Sequence, residues 1–288
     1  MNVRVRDHLL DAETTALEAL VARATEADHH QALSEDTPRT WVLLETSDGL
    51  VAAATVVEAA ADISAIHFVI DPAQRADASV RTELLTAARS AAGGPVRVWV
   101  NRATPSDDAA LATLGLQKER DVVQMRVELP LPRSVIDATR PLAVRAIELG
   151  RDDDAWLLVN NRAFGDHPEQ GHWTLATLHD RVRSAWFDPA GFLVAPDPHG
   201  SGLIGSCWTK IHANVSPPLG EIYVIAVDPA HHGQGWGRSL TVAGLEWLAG
   251  AGIEHAMLYT ESTNTTAVAL YASLGFRLDH VDRSYRDT

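Results

Sequence analysis

Three alternate glycines, Gly233, Gly235 and Gly237, stand in VDPAHHGQGWGRSL, between an apolar run ending at Val227 and an apolar-periodic segment from Leu240 to Leu248. Glycine admits positive φ and lets a ligand approach the main chain where a Cβ would otherwise stand. At the start of a helix such glycines bare successive N–H groups beside the positive end of the helix dipole, an arrangement that holds phosphate oxygens. The chemistry suggested is capture of a pyrophosphate, although glycines alone suit a flexible turn equally well. Two common phosphate loops fail on spacing. His232 and Arg238 stand where G-x-x-x-x-G-K-[ST] needs glycine and lysine, and G-x-G-x-x-G is met from neither Gly233 nor Gly235.

The loop needs a strand before it and a helix after it, and EIYVIAV from Glu221 and the segment from Leu240 read as those elements. Upstream, DDDAWLLVNNRAF from Asp152 reads as a helix, with FLVA from Phe192 and LIGSCWTKIH from Leu203 as strands. The same order occurs earlier: a helix from Asp11, strands from Trp41 and Leu50 joined by the turn Ser47–Gly49, and a strand from Ile66. IDPA at Ile70 echoes VDPA at Val227, LATLGL from Leu111 echoes YASLGF from Tyr271, and Trp99 precedes Leu111 by the interval that separates Tyr259 from Tyr271. Ordered matches at near-equal spacing indicate a duplicated α/β unit. The prolines of LPLPR, Leu129 to Arg133, break both helix and strand, so the expected domains are residues 1–134 and 135–288.

Net charge is −14 over 288 residues, the opposite of a phosphate-binding surface, so nucleic acid is not an expected partner. A lone cysteine, Cys207, leaves no intrachain disulfide and no CxxC site. It reads as a buried apolar residue of its strand. His29, His30, His231 and His232 show no ligand spacing, so no metal is expected. Without a signal-like or membrane-spanning run, the expectation is a cytoplasmic monomer with no membrane partner.

HGQGWG, His232 to Gly237, following EIYVIAVDP, resembles the [QR]-x-x-G-x-[GA] signature of the GCN5-related N-acetyltransferases (GNAT), and NTTAVALYASLGFRL from Asn264 resembles that family's C-terminal segment. His232 departs from the usual Gln or Arg, which removes one side-chain contact and leaves the main-chain cradle. NNRAFGDHPEQGHWT from Asn160, WFDPAGFLVA, CWTKIH and LYTEST extend the likeness to the two-copy mycothiol synthases. The resemblance implies two tandem GNAT-like domains, each a mixed sheet flanked by helices. It also implies acetyl-CoA as co-substrate and the cysteinyl amine of cysteinyl-glucosaminyl-inositol, an amino-sugar cysteine conjugate, as acceptor. Another small amine, a peptide N-terminus, or a non-catalytic acyl-CoA sensor are the alternatives.

Amide formation from a thioester needs a neutral amine, a polarised carbonyl and a proton for the departing thiolate. Glu221, at the head of the strand feeding the loop, is the candidate base. A main-chain N–H at Ile225, Ala226 or Val227, where the ladder is expected to break, is the candidate carbonyl polariser. Tyr271 lies about two helical turns beyond Asn264, and in the resembling family such a tyrosine meets the CoA sulfur. By the same resemblance, CoA is held by His232, Gly233, Gln234, Gly235, Trp236, Gly237 and Arg238 and by Asn264, Thr265, Thr266, Ala267, Val268 and Ala269. Glu169, Lys210, Glu221 and Tyr259 face the acceptor, with Glu35 from the other half. Lys210 is one of only two lysines, and its strand, LIGSCWTKIH, carries no other Lys, Arg, Asp or Glu. The first half offers RADASV, Arg75 to Val80, in place of the glycine loop and Leu111 in place of Tyr271, so it is expected not to catalyse.

Overall fold

The computed structural model describes residues 1–28, 40–58, 63–165, 170–200 and 202–287. In chain order the elements are β1 (Asn2–Arg6), α1 (Asp11–Asp28), β2 (Thr40–Thr46), β3 (Gly49–Glu58), β4 (Ser64–Ile70), α2 (Ala78–Ala92), β5 (Val96–Val100), α3 (Pro105–Thr113), β6 (Leu116–Glu128) and α4 (Arg133–Asp137). They continue with β7 (Arg145–Ala146), α5 (Asp153–Ala163), α6 (Leu175–Arg181), β8 (Phe192–Pro196), β9 (Leu203–His212), β10 (Leu219–Val227), α7 (Trp236–Gly250), β11 (His255–Glu261), α8 (Thr265–Ser273) and β12 (Arg277–Asp287).

These elements form two compact units. The first comprises Met1–Val123, Glu261–Thr263 and His280–Thr288, and the second comprises Gln124–Thr260 and Asn264–Asp279. The division falls inside β6, and the prolines of 129–133 lie within the second unit.

In the first unit, β1 to β4 pair antiparallel, β4 pairs parallel with β5, and β5 pairs antiparallel with the last residues of β12. Leu17, Leu20 and Ala24, spaced to share one face of α1, are buried there with Leu43, Ala53 and Val69 of the sheet. Val80, Leu84, Leu85 and Ala88 of α2 are buried in a second cluster with Val42, Ala54 and Ile66.

The second unit repeats the pattern. β7, β8, β9 and β10 pair antiparallel, and β10 pairs parallel with β11. The repeated tetrapeptides also share a local structure. Asp71 accepts from Ala73 N at 3.0 Å and Asp228 from Ala230 N at 2.9 Å, each carboxylate capping a short 3-10 turn at the end of its strand. The Leu-Gly pairs end α3 and α8 alike, with Gly115 at φ 75° and Gly275 at φ 96°, the left-handed stop that glycine adopts without strain.

Strict alternation on β9 separates two chemistries. Gly205, Cys207 and Thr209 face α7, where a Cβ on Gly244 would lie 2.5 Å from Cys207 Sγ and 2.9 Å from Ile222 Cδ1. Glycine at that point lets α7 sit close against the sheet. Ser206, Trp208, Lys210 and His212 occupy the opposite face, where Trp156 of α5 donates its indole N–H to Ser206 Oγ at 3.0 Å. Phe192 stacks on Trp208 at 4.2 Å between ring centroids, and Trp156 meets both rings edge-on, so that an aromatic block underlies this face.

Candidate active site

Ile222 is where β10 loses one of its two partners. Its parallel pairing with β11 runs from Gly220↔Ala256 to Ile222↔Leu258 and goes no further. On the β9 side the register slips between Ile222 and Val224, the mark of a bulge at Tyr223. The break in the ladder therefore begins at Tyr223, two residues before the stretch expected from sequence. Ile225, Ala226 and Val227 remain paired with Cys207, Ser206 and Gly205, and toward β11 their side of the strand has no strand partner among the described residues.

Beyond Val227 the chain enters the glycine loop. Gly233 and Gly235 have φ of 73° and 85°, and a Cβ on either would meet nothing within 4 Å, so open space lies over both. Gly235 caps α7 and contributes no side chain to the helix start. Ser239 is the first residue of the helix whose N–H reaches a described backbone carbonyl, that of Gly235 at 3.2 Å. The N–H groups before it are the bare donors of a helix N-terminus. This cradle suits a pyrophosphate, since a Cβ would fill the space and none is present.

Side chains lock the loop from behind. The Arg140 guanidinium lies 3.6 Å from the Trp236 ring centroid and donates to Gln234 O at 3.1 Å. Arg238 donates to Thr139 Oγ1 at 3.1 Å and to Ser273 Oγ of α8 at 2.9 Å, so its charge is engaged by the protein. His232 Nε2 lies 3.0 Å from Val227 O. Asn264 caps α8, accepting from Ala267 N at 3.1 Å, and Thr265, Thr266 and Ala269 are exposed on that helix while Ala267 and Val268 are half-buried.

Glu221 and Lys210 stand directly opposite each other in the β9–β10 register and share the face of Trp208. Both are buried, at 8% and 9% exposure, an unusual place for charged groups and one that points to a site. Lys210 Nζ lies 4.7 Å from the Trp186 ring centroid and 5.9 Å from that of Tyr223, within cation–π range of both. His212 Nε2 lies 2.7 Å from Glu221 Oε2. Tyr259 of β11 accepts from Gln124 Nε2 at 2.6 Å. His212, Trp186, Tyr223, Gln124 and Arg140 escaped the sequence reading. His212 alone carried a signal, since it follows Lys210 at the strand period of two.

Tyr271 is buried on α8 against Phe276, and that burial, with a smaller contribution from Cys207, pushes its hydroxyl up to about 12. Cys207 is fully buried, and its thiol is likewise pushed up to about 12, which suits a core residue and not a nucleophile. Glu35 and Glu169 lie outside the described residues. No described helix is long and apolar enough to cross a membrane.

Residues 156–276, from within α5 to the residue before β12, match the family described as Acetyltransferase (GNAT) family. The chain is 38% identical over 297 residues to a mycothiol acetyltransferase of Thermobispora bispora, covering 99% of this chain and 100% of the relative. In fold it is similar to a GCN5-related N-acetyltransferase from Sphaerobacter thermophilus, with TM-score 0.77 at 20% identity over 99% of this chain and 95% of that one. A tandem GNAT protein from the clavulanic acid biosynthesis pathway superposes with TM-score 0.70 at 14% identity, over 99% and 98% of the two chains. An open glycine cradle at a helix start, a buried carboxylate on the strand that feeds it and this full-length likeness agree: the chain belongs to the mycothiol acetyltransferases of the GNAT family, enzymes whose co-substrate is acetyl-CoA.

Proposed function

We propose that this chain moves the acetyl group of acetyl-CoA onto the cysteinyl amine of cysteinyl-glucosaminyl-inositol, and that the second unit does the chemistry. The observation that carries the reading is β10, which bears a buried carboxylate at its head and leads at its other end into a helix capped by Gly235, with no side-chain cap on its first N–H groups. The acceptor's identity rests on the full-length mycothiol acetyltransferase relatives.

In this reading the main-chain N–H groups from Gly233 to Arg238 hold the pyrophosphate, and the α8 start from Asn264 to Ala269 flanks it. Glu221 takes the proton of the attacking amine, directly or through a water. A β10 N–H beyond the bulge, on the side without a strand partner, polarises the carbonyl as the nitrogen–carbon bond forms. Tyr271 donates to the sulfur as the carbon–sulfur bond breaks. Lys210, Tyr259, Trp186 and Tyr223 offer charge, hydroxyl and ring faces to a polyhydroxylated acceptor.

Release of CoA thiol, followed with cysteinyl-glucosaminyl-inositol and with a panel of other amines and peptide N-termini, tests the acceptor. The expected result is the highest kcat/KM for the cysteinyl conjugate, and equal or better turnover of an unrelated amine would reassign it.

Gly237→Ala tests the cradle without straining the protein. The added Cβ would sit 3.5 Å from Leu270 Cδ2 and 4.0 Å from Val227 Cγ2, both ordinary contacts, and alanine is the better helix former. Tm should hold or rise slightly. The acetyl-CoA Kd should stay within about twofold of wild type, because alanine keeps the main-chain N–H and its Cβ is directed at Leu270 and Val227. A Kd raised about tenfold or more by calorimetric titration would show that the Gly237 N–H is not held as this reading has it.

A further inference from the structure

We propose that His212 is the positioning residue of the active-site base, an inference that rests on the reading of Glu221 as that base. On the shared face of β9 and β10, His212 is opposite Leu219 and Glu221 is opposite Lys210, so the imidazole and carboxylate meet diagonally across the ladder. The contact is short, 2.7 Å from Nε2 to Oε2, and both residues are 8% exposed.

A carboxylate base has two equivalent oxygens on a soft terminal torsion, and either can turn away from the amine. An imidazole donating its Nε2 proton to Oε2 fixes that torsion and leaves Oε1 as the oxygen that faces the acceptor. The base is thus held by a third group, the arrangement by which acid–base pairs are commonly oriented. The proton balance is simple. The amine proton passes to Oε1 as the nitrogen–carbon bond forms, the sulfur leaves with its electron pair, and His212 neither gains nor loses a proton. Lys210, directly across from Glu221 and directed at the Trp186 and Tyr223 rings, stands on the same face as a cation.

A double-mutant cycle in the full chain tests the coupling, using His212→Ala and His212→Gln alone and together with Glu221→Gln. His212→Ala should lower kcat by about 10- to 100-fold, the worth of one hydrogen bond to a charged group, with acetyl-CoA Kd unchanged. His212→Gln, whose amide can donate from a similar place, should recover part of that loss. In the Glu221→Gln background the same His212→Ala change should cost less than about twofold. A merely structural histidine would lower Tm and depress kcat equally in both backgrounds, and that result overturns the proposal.

A large loss in Glu221→Gln beside wild-type kcat in His212→Ala would overturn the positioning role alone. Wild-type kcat in Glu221→Gln itself would overturn the base assignment and the positioning role with it. Where His212→Ala is too unstable to assay, His212→Gln carries the same cycle.

Discussion

Glu221→Gln should lower kcat for acetyl transfer by about 10²- to 10⁴-fold, the usual reach of general base catalysis, while acetyl-CoA binds as in the wild type. The substitution keeps size at a buried position and removes the negative charge, and with it proton acceptance. Its separation from the cradle explains the second half of the expectation, since Glu221 heads β10 and the glycines follow that strand's end. Stopped-flow turnover and calorimetry on the same preparation read both quantities. An unchanged kcat together with an unchanged pH profile would remove Glu221 from the mechanism.

Tyr271→Phe should lower kcat by about 10- to 100-fold and leave acetyl-CoA Kd nearly unchanged, because it deletes one oxygen from a buried ring. Burial raises this hydroxyl to about 12, so it keeps its proton throughout the neutral range. A free thiol has a pKa of about 8.5, so complete transfer from such a phenol to a free thiolate runs uphill. The role proposed for Tyr271 is therefore to donate a hydrogen bond to sulfur as its charge develops, not to transfer its proton outright. The sign for pH follows. A raised value means that deprotonation comes only as pH climbs toward 12, so kcat should show no loss attributable to Tyr271 below about pH 10, the ordinary phenol value. A basic limb near neutrality that vanishes in Tyr271→Phe would contradict this assignment.

Combined with Glu221→Gln, the tyrosine substitution also exposes what the first unit can do alone. There Leu111, fully buried, occupies the place of Tyr271, and Asp77 caps α2, accepting from Ser79 N at 2.8 Å. The N-terminus of α2 thus carries its own carboxylate where α7 presents bare glycine, and a negative charge there repels phosphate. The double mutant should fall to background. Substantial turnover that disappears on changing Arg75 or Leu111 would mark the first unit as an active centre.

The glycine loop was legible in the sequence because alternate glycines between a strand pattern and a helix pattern carry their own geometry. Cys207 was legible too, as a buried residue, from its place in a β run. Local signals of this kind do not name a strand's partners. The bulge at Tyr223 depends on how β9 and β11 line up against β10, which alternation within β10 does not encode. The proline-rich stretch 129–133 suggested a boundary, yet the units divide within β6, where an uninterrupted strand gives no local sign. His212 went unread because a lone histidine at a strand end takes its meaning from a carboxylate nine residues away across a turn.

The return of the last strand to the first unit ties the order of synthesis to the order of folding. Tyr285 pairs with Val98, Arg283 with Val100, and Val281 O accepts from Ala103 N at 2.8 Å. Tyr285 is itself 1% exposed within the first unit's core. A ribosome that has released residues 1–134 has therefore delivered a sheet whose β5 edge lacks its antiparallel neighbour and a core that lacks an aromatic ring. Both arrive only with residues 281–286. The unit whose chain is made first is completed only after the second has been made, so a stop codon before residue 281 would harm the first unit, far from the break in sequence.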